Sequence, residues 1–241
     1  MSKQPPPQPA SRRRFLQRTL SLIPLAALGS RALPTSAQAS EPVAEAVSDG
    51  YLPQFFNDEE WRFVLAATDR LIPADALGPG AVSEGVPEFI DRQMELPYGY
   101  GQLWYMQPPF ATAVPELGYQ SSLVPRECWR RGIRAVNGWC QTQFGQPFAD
   151  LSQAQQEQVL TQLERDDLTF AGLPGALFFT QMLENTREGW LADPLHGGNR
   201  TLASWRLIGF PGARADYQQV MDNPGQPYPL GPVSISGKRS A

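Results

Sequence analysis

One histidine, His196, and two cysteines, Cys128 and Cys140, are the whole stock of soft metal ligands in this 241-residue sequence. Zinc and iron–sulfur centres need three or four suitably placed ligands, so a metal centre of its own is excluded. There is no C-x-x-C-H for covalent haem and no G-x-S-x-G elbow for a serine nucleophile. The glycines of PADALGPGAVSEGV lack both the GK[ST] ending of a phosphate loop and the G-x-G-x-x-G order of a dinucleotide site, and no strand precedes them. A membrane-spanning helix needs about 20 apolar residues. The run LSLIPLAALG is half that and contains Pro24.

Basic residues are also scarce beyond the first 39 positions. Lys3, Arg12, Arg13, Arg14, Arg18 and Arg31 all precede residue 40, where no acid occurs; the rest holds 14 basic residues against 24 acidic ones, a net of −10. Nucleic acid and anionic lipid both require a basic footprint, so neither is an expected partner.

What the first 39 residues do contain is an address. SRRRFLQ, the apolar run and AQA at Ala37 to Ala39 stand in the order of a secretory signal: basic, apolar, small-residue cleavage site. Arg12 and Arg13, followed by Phe15 and Leu16, resemble the twin-arginine export signal, with Gln17 where lysine is commoner. Cleavage is expected after Ala39. This route carries folded proteins, so the passenger is either a cofactor protein or the escort of one, bound for the periplasm.

Residues 40 to 50, SEPVAEAVSDG, are small and acidic and read as a linker. The domain follows, from 51 to 241. Asn57 and Glu60 make a capping-box pattern for a helix whose stripe is Trp61, Val64, Leu65, Thr68, Leu71 and Ile72, ended by Pro73. A short helix is expected from Pro87, a long one from Pro125 with Trp129, Ile133, Val136, Cys140 and Phe144 on one stripe. A third runs from Ser152, boxed by Gln155, over Val159, Leu160 and Leu163. A fourth runs from about Pro174 through Phe178, Phe179, Met182, Leu183 and Thr186. No convincing run of alternating strands appears, so the class is mainly α: one helical domain with long loops rich in proline, glycine and aromatics. The proline-rich tail from Asp222 is extended, and either drapes over its own core or reaches a neighbour.

Three features are candidates for function. The loop LPYGYGQLWYMQPPFATAVPELGY concentrates aromatics, Tyr98, Trp104 and Tyr105 among them, that suit either an interface or an internal cluster. Twelve residues of continuous helix place Cys128 and Cys140 about 18 Å apart, beyond the reach of a disulfide. Cys140 lies on the buried stripe, whereas Cys128 aligns with Gly132, Ala135 and Trp139 and is the candidate for an interchain contact. Finally, DPLHGGNR puts His196 near Asp193 and Arg200, but in a proline- and glycine-bound turn without an orienting scaffold. A general base needs both partner and substrate in reach, so structural or docking use is expected, with no catalytic, cofactor-binding or metal-binding residue in the chain.

The ordered segments FFNDEEWRFVLAATDRLIP, GVPEFIDRQMELPYGYGQLWYM, ELGYQ, LENTREGWLADPLHGGNR, GFPGAR and YPLGPVSI resemble the gluconate 2-dehydrogenase subunit 3 family over roughly residues 52 to 236. The sequence departs from that pattern at His196, where an aromatic such as tyrosine is expected, and at Thr201-Leu202, where an aspartate is expected. The resemblance implies a non-catalytic small subunit paired with a large FAD-binding subunit of the glucose-methanol-choline type, in a complex oxidising a sugar, sugar acid or polyol. It also implies a membrane-bound cytochrome c with haem c as a third subunit, and a twin-arginine signal read by the Tat translocase on behalf of both small and large subunits. The complex is then membrane-associated, with no cofactor in this chain. Contacts to the partner are expected from Tyr98, Trp104, Tyr105, Cys128, Asp193, His196, Gly197, Gly198, Asn199, Arg200, Phe210 and Pro211. Two other readings stand beside this one: an enzyme using the His196 loop, and a stand-alone periplasmic binding protein.

Overall fold

The computed structural model of the chain describes residues 50–110, 114, 117–226 and 228–239. Arg12, Arg13, the Ala39 cleavage site and the linker up to residue 49 lie outside the described residues. The order is α1 (Asp58–Leu71), α2 (Val86–Met94), α3 (Pro125–Phe144), a 3-10 turn (Phe148–Asp150), α4 (Gln153–Glu164), β1 (Thr169–Phe170), β2 (Leu173–Pro174), α5 (Gly175–Leu191), a second 3-10 turn (Pro194–His196), α6 (Ala203–Ile208) and α7 (Gln218–Asp222). The mainly α class holds. The two strands form only a two-residue antiparallel hairpin.

Local chemistry sets the helix starts. Asn57 accepts from the Glu60 amide at 2.9 Å while the Glu60 carboxylate accepts from the Asn57 amide at 3.1 Å, satisfying two orphan donors reciprocally. Ser152 and Gln155 repeat the box at α4. Proline occupies the first turn of α2 and of α3, where its missing N–H costs nothing.

α5 is the central helix: α1, α2, α3, α4 and α6 all pack on it. Of its expected inward face Phe178, Phe179, Met182 and Thr186 are buried and Leu183 is half-buried. Thr186 and, on α1, Thr68 are fully buried because each hydroxyl donates to the carbonyl four residues earlier. α3 crosses α5 at Gly132, where a methyl group would collide with the Phe178 ring. Around that crossing Phe63, Trp129 and Phe178 form an aromatic core, Trp129 edge-on to Phe178 and Phe63 tilted against it. Phe63 extends the buried face of α1 beyond the sequence-predicted stripe. No helix among the described residues is long and apolar enough to cross a membrane.

Candidate functional site

Buried carboxylates organise the part of the molecule that carries DPLHGGNR. Glu84, fully buried just before α2, accepts from the Thr201 amide at 2.9 Å and the Thr201 hydroxyl at 2.6 Å. Glu88, one turn on, is paired with Arg200. Asp91, fully buried near the end of α2, accepts from the Tyr51 hydroxyl and the amides of Gln54, Phe55 and Phe56, all at 2.8 to 3.0 Å. α2 and the turn leading into it therefore fasten two distant segments, residues 51–56 and 200–201, through charge-assisted bonds that offset the cost of burying each acid.

The loop itself is folded against its own chain. Asp193 caps the 3-10 turn through the Leu195 amide at 2.9 Å, and its other oxygen accepts from the Ile235 amide at 2.8 Å. Asn199 is fully buried, donating to the Ala192 carbonyl at 3.0 Å and accepting from the Ser204 amide. Gly198 lies against Gly189 of α5 so closely that a methyl group would collide with the Gly189 carbonyl. Gly85, at φ +76, faces Gly197 and Arg200 with the same lack of room. Asp193, Gly197, Gly198 and Asn199 are thus internal fasteners: the Asp193 and Asn199 side chains bond backbone groups of neighbouring turns and of the tail, and the two glycines admit close approach to Gly85 and Gly189. Arg200 is half-buried against Glu88, and His196, like Leu195 before it, is exposed, with no side-chain partner for the imidazole among the described residues. Thr201, where the family pattern suggests an aspartate, is the group that satisfies Glu84.

Cys128 lies inside the chain's own packing. Its thiol is fully buried, and desolvation pushes its pKa up to about 12, the opposite of what a reactive or bridging cysteine requires. Of the small residues beside it, Gly132 serves the α3–α5 crossing, where Phe178 packs on it. Cys140 is buried as expected, burial raising its pKa to about 11, and both thiols are free on one continuous helix.

The aromatic loop is partly an internal cluster. Tyr98 packs edge-on against Trp104, which stacks on Tyr119 at 5.2 Å between centroids. The Tyr98 hydroxyl accepts from Gln181 at 2.6 Å and Asn185 at 2.5 Å, and Asn185 in turn accepts from the Trp129 indole at 3.0 Å. Desolvation, opposed by the Asn185 bond, takes the Tyr98 pKa to about 12. Tyr105, by contrast, is 82% exposed.

A second exposed apolar surface lies at the C-terminal end. Trp205 of α6 donates to the Leu191 carbonyl at 2.8 Å and packs edge-on against Phe210. Gly212 lies against the Trp205 ring and bridges to Val233 of the tail. The tail therefore drapes over its own core. Leu191, Leu195, Leu207, Ile208, Phe210 and Ile235 are each exposed on or beside this framework, and Pro211 is half-buried within it.

Charge is divided unevenly. From residue 194 onward the basic residues are Arg200, Arg206, Arg214, Lys238 and Arg239 and the acids only Asp216 and Asp222; residues 40–193 hold the other 22 acids against nine basic residues. A cleft of about 480 Å³ beside Tyr100 is lined by Arg126, Arg130 and Arg131. Each of these arginines already faces a carboxylate, Glu95, Glu60 and Glu127 respectively, so the cleft offers an anion no free cation.

Among the described residues no group of three or more His, Cys, Asp or Glu is placed to hold a metal ion, and no βαβ unit is present to cradle a dinucleotide. Sequence reasoning missed Glu84, Glu88 and Asp91, although the three-residue spacing of Glu88 and Asp91 is that of one helix face; Glu84 stands before the left-handed Gly85 that opens α2. Comparison with curated proteins and with solved structures finds no match. A family model does match, Gluconate 2-dehydrogenase subunit 3, over residues 58–212, which span α1 through α6 and end at the glycine packed on Trp205. The chain belongs to the gluconate 2-dehydrogenase subunit 3 family.

Proposed function

We propose that the chain is a non-catalytic accessory subunit of a periplasmic, FAD-dependent dehydrogenase that oxidises a sugar, sugar acid or polyol. Its family membership over residues 58–212 carries this reading, since it already makes the chain a subunit of a gluconate 2-dehydrogenase-like oxidoreductase complex. Two further features favour an accessory role. The polar side chains of the DPLHGGNR region are spent on anchoring backbone, and the single histidine stands exposed without the orienting partner that general-base chemistry needs.

In this account Arg12 and Arg13 recruit the Tat translocase for the folded pair, the large glucose-methanol-choline-type subunit holds the FAD, and a membrane-bound cytochrome c bearing haem c receives its electrons. The small subunit stabilises the flavoprotein by covering part of its surface. Replacing Arg12 and Arg13 together by lysine tests the export role. Both this chain and the flavin-dependent activity are expected to stay in the cytoplasm. An active flavoprotein in the periplasm of that variant would overturn it.

A further inference from the structure

We infer that the C-terminal apolar face, formed by Leu191, Leu195, Leu207, Ile208, Phe210 and Ile235, is the seat of the flavin-binding subunit and meets an apolar patch with an acidic rim there. The inference rests on the proposed function and adds to it the surface and the chemistry of the contact.

Three observations lead to this face. First, its side chains are exposed by 41 to 67% yet stand on a rigid support. Leu195 and Ile235 are held side by side because their amides share the Asp193 carboxylate. Leu207 and Ile208 follow Trp205, which is pinned to α5. Preorganised apolar groups bind without the ordering cost that mobile ones incur. Second, the rim is basic. Arg206, Lys238 and Arg239 are exposed around it, on a chain whose residues 40–193 carry 22 acids against nine basic residues. Oppositely charged rims steer association and reject wrong partners.

Third, the same charge argument disfavours other occupants. A second copy meeting this face through a two-fold axis would bring the basic rims together. An anionic membrane would be repelled by the acidic remainder of the chain. The aromatic loop, the other exposed apolar surface, carries no charged residue between 96 and 115, and the arginines beside its Tyr100 each face a carboxylate already.

The test uses the full chain co-expressed with the flavin-binding subunit of its own complex, with flavin absorbance in the co-eluting peak as the readout. Leu207→Glu combined with Ile208→Glu is expected to reduce co-eluting flavin about tenfold or more, as for an interface centre, while the melting temperature of the chain alone stays within a few degrees. Should that variant fail to fold, Leu195→Ser with Ile235→Ser addresses the same face. Lys238→Glu with Arg239→Glu is expected to weaken binding severalfold at low salt, the difference shrinking as salt rises. Leu103→Glu with Tyr105→Glu, on the aromatic loop, is expected to co-elute normally. Normal flavin co-elution of folded C-terminal-face variants would overturn the inference, as would loss confined to the loop variant or binding to vesicles containing anionic lipid. Failure of the wild-type chain to co-elute with flavin would instead overturn the proposed function itself.

Discussion

Asp193 and Ile235 are 42 residues apart in sequence and joined by a 2.8 Å hydrogen bond, in which the buried carboxylate accepts from the tail amide. The same side chain caps the 3-10 turn through Leu195, so one acid ties the end of α5, the DPLHGGNR loop and the C-terminal tail into a unit. Asp193→Ala should destabilise the chain by about 2 to 4 kcal/mol, since two backbone donors lose a charged acceptor. Limited proteolysis should then cut first between residues 211 and 239. Unchanged resistance of the tail would show that the bond does not hold it.

Gly198 packs where no side chain fits, against the carbonyl of Gly189. Gly198→Ala is expected to force the loop away from α5 at a cost of about 1 to 3 kcal/mol, the range of overpacked interiors. Urea unfolding measures this, and a midpoint equal to wild type would contradict the close approach.

Two thiols and a phenol predict an alkaline weakness. Cys140, Cys128 and Tyr98 have pKa values raised to about 11, 12 and 12 from 9.0, 9.0 and 10.0, with burial the first cause in each case. Each holds its proton more tightly folded than unfolded, so its contribution is full below the unfolded value. That contribution is lost as pH rises through the folded one. Stability should therefore fall from about pH 9 to 12, and Cys128→Ala should flatten that fall. An unaltered slope in urea titrations at pH 8 to 11 would argue against Cys128 as a source. Consistent with burial, neither cysteine should react with a thiol reagent until the chain is unfolded.

His196 should be dispensable for chemistry. Exposed and without a side-chain partner among the described residues, it is expected on substitution by alanine to change stability by no more than about 0.5 kcal/mol. The turnover of the assembled complex should be unaffected. A loss of turnover with assembly intact would restore the enzyme reading of the loop.

The helices were legible because their signals are local. The boxes at Asn57 and Ser152, the prolines at 87 and 125 and the apolar period of α5 each act within a few residues. α6 was not legible. It is a six-residue helix entered through Leu202 at φ +61, and it owes its place to Trp205 packing beneath Leu191 and Phe210. The anchors were missed for a related reason. A carboxylate such as Asp91 looks like surface charge until the chain brings the amides of 54 to 56 onto it. Cys128 shows the converse case, since among the small residues that suggest an interface Gly132 admits Phe178 of α5.

The most direct test of the central claim is purification of the tagged chain from its native host after mild solubilisation, with flavin content and sugar-acid, sugar and polyol oxidation assayed in the eluate and in the refolded chain alone. The account predicts a complex with stoichiometric FAD and dehydrogenase activity, and a refolded chain with neither. A chain that elutes alone, or that turns over substrate without a flavoprotein, would contradict it.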